Sequence, residues 1–167
     1  ERGLAGQGCV MGGEVACCCA ELADIAIIGM GDAEGMDERV FATLDLVRNY
    51  GDEKWWLYVS TCRACGQNWM VGQEERIHDN YCLRRIDRQA LGKIIECSRW
   101  PDDFLTYEKL LRLGRDAGQV AAFLNPQSAA LVETAQDLRR ARPDMSIEDM
   151  AYVLAISTSQ AARLFRS

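Results

Sequence analysis

The sequence predicts an α+β fold: a small antiparallel β-sheet with a structural zinc knuckle, followed by a helical C-terminal region. Three observations carry that expectation. Trp55–Ile86 reads as strand, turn and strand around Cys62-Arg63-Ala64-Cys65-Gly66, with apolar residues filling Trp55–Val59 and Trp69–Val71. Asp79–Ile86 alternates as a third strand would, Tyr81, Leu83 and Arg85 opposing Cys82, Arg84 and Ile86. Beyond about residue 105 the apolar residues recur at three- and four-residue steps. The expected division is a zinc-knuckle α+β domain over 1–104 and a helical region over 105–167.

A chain of 167 residues can bury a real core, and 49% apolar with 26% charged residues is ordinary for a globular protein. No stretch approaches the roughly 18–20 uncharged apolar residues of a membrane span, so no membrane partner is expected. Val15–Met30 is interrupted by Glu21 and Asp24 and follows no basic start, unlike a signal peptide. The first residue is Glu1 rather than Met, which raises the expectation of trimming upstream.

The elements are expected in the following order. Residues 1–13, rich in glycine, read as a flexible start. Asp24–Ile28 reads as a buried strand, and Gly29-Met30-Gly31-Asp32 as a turn. Its G-x-G resembles a dinucleotide-binding turn, but Glu34 would repel phosphate, which leaves a plain loop. Asp37 is expected to cap a helix through about Asn49, with Val40, Phe41, Leu44 and Val47 on one face. Asp87 caps the next, carrying Leu91, Ile94 and Ile95 and ended by Trp100-Pro101. Thr106 opens another, closed near Gly114 or Gly118, and Asn125-Pro126 opens one as N-cap and first-turn proline, ended by Pro143.

Eight cysteines stand at Cys9, Cys17–Cys19, Cys62, Cys65, Cys82 and Cys97. Such clustering favours thiolate ligands in a reducing cytoplasm over the even framework of a small secreted domain. Two thiolates on a tight turn supply half of a four-coordinate zinc site, and Gly66 suits a position of positive φ. A redox Cys-x-x-Cys would open a helix, whereas Gly66–Val71 reads as returning strand. The other half can come from Cys17, Cys18, Cys19, His78, Cys82 or Cys97. Cys17 and Cys19, pointing the same way in an extended segment, complete the expected set of Cys17, Cys19, Cys62 and Cys65. Cys82 and Cys97 suit core or helix-face positions instead, and His78 a surface or hydrogen-bonded one.

No catalytic constellation is expected. The single histidine forms no triad, and the adjacent pairs Glu74–Glu75 and Asp102–Asp103 read as solvated rather than as acid/base dyads. Charge points elsewhere. Residues 1–61 hold eleven acids and four bases, which suits a basic protein partner, whereas 126–167 hold five of each. Ser146-Ile147-Glu148-Asp149 opens a helix in the manner of a capping box. Thr158–Arg166 follows as a second helix, and the pair at 146–166 resembles a helix-turn-helix. Thr158, Ser159, Gln160, Arg163 and Arg166 would then face a DNA groove, although a balanced tail supplies little phosphate neutralisation.

The stretch WWLYVSTCRACGQNW at residues 55–69 resembles zinc-ribbon-like modules of bacterial polymorphic-toxin immunity proteins, but lacks their second Cys-x-x-Cys. The resemblance provides no partner. The closed thiolate set, the missing catalytic groups and the acidic N-terminal third lead to the expectation of a structural zinc in a non-enzymatic, cytoplasmic protein that blocks a protein partner, as an immunity or antitoxin protein would. The alternative is a DNA-binding regulator acting through residues 146–166.

Overall fold

The computed structural model describes residues 10–11, 14–120 and 125–166. Five strands form the central sheet: β3 (Ile25–Gly29), β4 (Leu44–Asn49), β5 (Leu57–Cys62), β6 (Asn68–Glu74) and β7 (Asn80–Ile86). They are antiparallel throughout, in the spatial order β3-β7-β6-β5-β4. A separate short pair, β1 (Val10–Met11) and β2 (Glu14–Val15), precedes them. The remainder of the expected flexible start, residues 1–9 and 12–13, lies outside the described residues.

Strand periodicity sorts the apolar side chains onto two faces. On one, Leu57, Val59, Met70, Cys82 and Ile86 pack against Ile94 of α2 (Arg88–Cys97) and against Phe104 and Leu110. On the other, Cys62, Trp69, Val71 and Leu83 pack against Val40 of α1 (Met36–Phe41) and against Cys18 and Cys19. The sheet is thus buried on both sides, which explains why β6 is apolar on successive residues rather than alternating. Leu110 belongs to α3 (Tyr107–Asp116), which lies so close to β6 that a Cβ on Gly72 would stand 2.5 Å from Leu110 Cδ1.

A second core joins α4 (Ala129–Ala141), α5 (Ile147–Leu154) and α6 (Thr158–Leu164) through Leu131, Leu138, Met150, Leu154 and Leu164. Leu111 of α3 and Ile77 of the β6–β7 loop are buried in it. Adjacent α3 residues therefore serve the two cores, Leu110 facing the sheet and Leu111 the helices.

Asp87, Thr106 and Ser146 each cap their helix as expected, accepting from the N–H of Ala90, Lys109 and Asp149. Two expectations are corrected. The helix expected from an Asp37 cap to Asn49 spans only Met36–Phe41, with Gly35 at its N-cap and Asp37 inside it, and Leu44–Asn49 is an edge strand paired with β5 from Leu44↔Cys62 to Asn49↔Tyr58. Pairing with the neighbouring strand β5 outweighed a local helical period. The helix expected from Asn125-Pro126 begins at Ala129 instead, capped by Ser128, whose hydroxyl accepts from Leu131 N. Asn125 and Pro126 form the turn before it, with Ser128 N donating to Asn125 O.

Candidate metal centre

The centre is built from the β5–β6 hairpin and the segment before β3. Cys62 is the last residue of β5, and its N–H donates to Gln67 O at 2.8 Å. Gly66 N donates back to Cys62 O at 2.8 Å, with Gly66 at φ +76°, a conformation open to glycine at little cost. This turn aims Cys62 and Cys65 the same way. Cys17 and Cys19 meet them from above, though not from an extended segment as expected. Cys18 sits at φ −96°, ψ 9° and a short 3₁₀ turn, Cys19–Glu21, begins just after it. The bend is what turns both sulfurs toward the hairpin.

The Sγ atoms of Cys17, Cys19, Cys62 and Cys65 all lie within 4.8 Å of one another. These four, and the other cysteines of the described residues, are free thiols rather than disulfides. Soft sulfur donors at that spacing could bind a metal ion, and four thiolates satisfy a four-coordinate ion completely. The other candidates stand apart. Cys18 is buried but outside the quartet, Cys82 is buried on the opposite sheet face, and Cys97 is exposed at the end of α2. His78 is buried in the β6–β7 loop, with Nε2 2.9 Å from Val153 O.

Polar neighbours hold the sulfurs. Trp69 Nε1 donates to Cys19 Sγ at 3.3 Å, and the Cys62 thiol donates to Thr43 Oγ1 at 3.4 Å, a hydroxyl that can rotate to donate to the sulfur once it is ionised. Burial pushes the Cys62 thiol up, but hydrogen bonds from Thr43 and from the backbone of Cys65 and Ala64 outweigh it and bring it down to about 7. Burial raises the Cys19 thiol and outweighs the Trp69 hydrogen bond. Without a cation, then, Cys19 resists ionisation, and a bound cation would supply the missing charge.

Arg85 ties the two segments together. Its Nη2 donates to the carbonyl oxygens of Cys19 (2.9 Å) and Leu22 (2.8 Å), and Nη1 donates to Gln67 Oε1 at 2.9 Å. Its guanidinium lies 4.6 Å from the centre of the Trp69 ring. Thr43, Trp69 and Arg85 were not readable as site residues. Only the position of Trp69, four residues after Cys65, and the inward phase of Arg85 on β7 hinted at them.

Glu74 corrects the expectation that the Glu74–Glu75 pair is solvated. Its side chain is 1% exposed and accepts from Arg76 N (3.0 Å), Ile77 N (2.9 Å), His78 N (2.6 Å) and Tyr107 Oη (2.6 Å). A carboxylate with four donors is an internal anchor for the loop that carries Ile77 into the helical core. Asp102 and Asp103 instead form surface ion pairs with Lys109 and Arg84.

In the tail, α5 and α6 are joined by Ala155-Ile156-Ser157, with Ala155 left-handed at φ 53°. Thr158, Ser159, Arg163 and Arg166 are exposed, whereas Gln160 is half-buried and engaged with Ser157 in a reciprocal capping box. No helix of the described residues is long and apolar enough to cross a membrane. Compared with known proteins, the chain matches no family model, no curated protein and no solved structure. Function is therefore argued from the site itself.

Proposed function

We propose that this is a zinc-stabilised, non-enzymatic binding protein of the cytoplasm, which engages a basic protein partner in the manner of a bacterial immunity or antitoxin protein. The observation that carries the zinc reading is the quartet of Cys17, Cys19, Cys62 and Cys65, all sulfurs within 4.8 Å. Four thiolates leave a zinc ion no open position for water, so the ion is structural. It ties the segment before β3 to the hairpin, and its binding energy becomes folding energy, on the order of 10 kcal/mol.

The groups best suited to acid/base work support a binding role, because they are occupied in the interior. Glu74 accepts four donors, and His78 is buried with Nε2 bonded to the Val153 carbonyl, although its Nδ1 has no partner among the described residues. The excess of acids in residues 1–61 supports a basic partner.

Metal analysis of protein purified under reducing conditions tests the zinc reading, with about one zinc per chain expected. Less than about half an equivalent contradicts it. Co-purification from the source cell tests the binding reading. A salt-sensitive complex with a basic protein is expected, and recovery of free monomer alone counts against it.

The three-residue connection between α5 and α6 favours a second reading, DNA contact through Thr158, Ser159, Gln160, Arg163 and Arg166. A gel shift against random duplex at ~50 mM salt decides it, since phosphate contacts are strongest there.

A further inference from the structure

The four sulfurs differ in what they show to solvent. Cys19 and Cys62 are 5% and 0% exposed, each with a polar neighbour at its sulfur, whereas Cys65 is exposed and Cys17 half-buried. The outer two come one from each chain segment, and their sulfurs are within 4.8 Å. We infer that the centre is a peroxide-responsive switch, in which Cys65 and Cys17 join as a disulfide and the zinc is released. This rests on the zinc reading above.

The chemistry balances on these residues with a peroxide as oxidant. The Cys65 sulfur attacks one peroxide oxygen, the O–O bond breaks, and Cys65 becomes a sulfenic acid as hydroxide leaves. The Cys17 thiolate then attacks the Cys65 sulfur. An S–S bond forms, the S–O bond breaks, and a second hydroxide leaves. Two electrons pass from the two thiolates to the peroxide, and two solvent protons complete two waters. Cys19 and Cys62 remain as two ligands where four were needed.

Cys17 is the partner of Cys65, in preference to the nearer-in-sequence Cys62, for a physical reason. Joining Cys62 would break the contact of its fully buried sulfur with buried Thr43, 3.4 Å away. Joining Cys17 leaves the bonds of both inner sulfurs intact. The new link also keeps the two segments tied once the ion has gone, so the loss is reversible. Cys18, buried and outside the quartet, takes no part.

The test uses the full zinc-loaded chain carrying Cys9→Ser and Cys97→Ser, so that thiols outside the cluster do not compete. Zinc is quantified before treatment, then followed with a colorimetric chelator as hydrogen peroxide is added. Disulfides are mapped by mass spectrometry. The expected result is release of about one zinc per peroxide consumed, a Cys17–Cys65 link, and recovery of bound zinc after reduction. A further Cys18→Ser change should leave release unaltered. Zinc that stays bound at several-fold excess peroxide overturns the switch while leaving the structural zinc in place. Release with a Cys62–Cys65 link, or with sulfinic acids and no link, overturns it as well. Absence of zinc before treatment removes the zinc reading itself, and the switch with it.

Discussion

The indole N–H of Trp69 donates to the sulfur of Cys19 at 3.3 Å, across fifty residues of sequence, and both groups are buried. The bond reaches from the middle strand of the sheet to the segment that closes over it. Hydrogen bonds of this kind remove charge from a thiolate and orient it, so they tune a metal site without touching the ion. Trp69→Phe keeps the ring in the core and removes only the donor and some volume. Metal affinity is expected to fall about 10–100-fold, as read by competition with a chelator of known affinity.

Arg85 serves the same centre by geometry. Its fork holds the carbonyls of Cys19 and Leu22 together, and lysine, a point donor on a flexible stem, cannot span both. Arg85→Lys is expected to weaken metal binding about tenfold and to speed proteolysis in residues 16–24. The melting of the sheet in excess metal should change little.

Glu74 links sheet to helices, and its substitution reports on that link. In Glu74→Gln one carboxylate oxygen becomes an amide donor. With the oxygen kept at Oε1 for Arg76, Ile77 and Tyr107, the new N–H₂ faces the N–H of His78. Two buried donors then oppose each other, at a cost of about 2–3 kcal/mol in urea unfolding. Tyr107→Phe removes one donor and should cost less, about 1–2 kcal/mol. Equal stability of Glu74→Gln and the unaltered protein would show that the carboxylate is not the anchor.

Acid should loosen the helical tail through Asp149. A hydrogen bond from Arg142, with the charge of Arg112 nearby, holds its carboxyl below the usual carboxylate range. A depressed folded-state value means that the contribution is full above the unfolded value, near 4, and is lost as pH falls through the folded one. The resonance of Asp149 should therefore titrate below those of unpaired carboxylates. Asp149→Asn should flatten the acid limb of the stability profile.

Much of the fold was legible because it is local. The hairpin around Cys62–Gly66, the caps at Asp87, Thr106 and Ser146, and the alternation of Asn80–Ile86 are written in short stretches of sequence. What escaped was set by how the chain packs in three dimensions rather than by the residue pattern of the stretch itself. Leu44 and Val47 have helical spacing, yet β5 recruits them as an edge strand with a bulge between Leu46 and Arg48. Glu74 sits beside Glu75 and reads as solvated, but the turn at 76–78 folds three N–H groups onto it. The four clustered cysteines were readable as candidate ligands from cysteine chemistry, whereas the contacts of Thr43, Trp69 and Arg85 depend on strand register.

The account rests most on one ion held by four sulfurs. X-ray absorption at the zinc edge of the reduced protein measures that directly. Four sulfur neighbours at about 2.3 Å, with the sulfur count reduced in Cys17→Ser and in Cys65→Ser, is the predicted result. A first shell containing nitrogen or oxygen in the unaltered protein would contradict it.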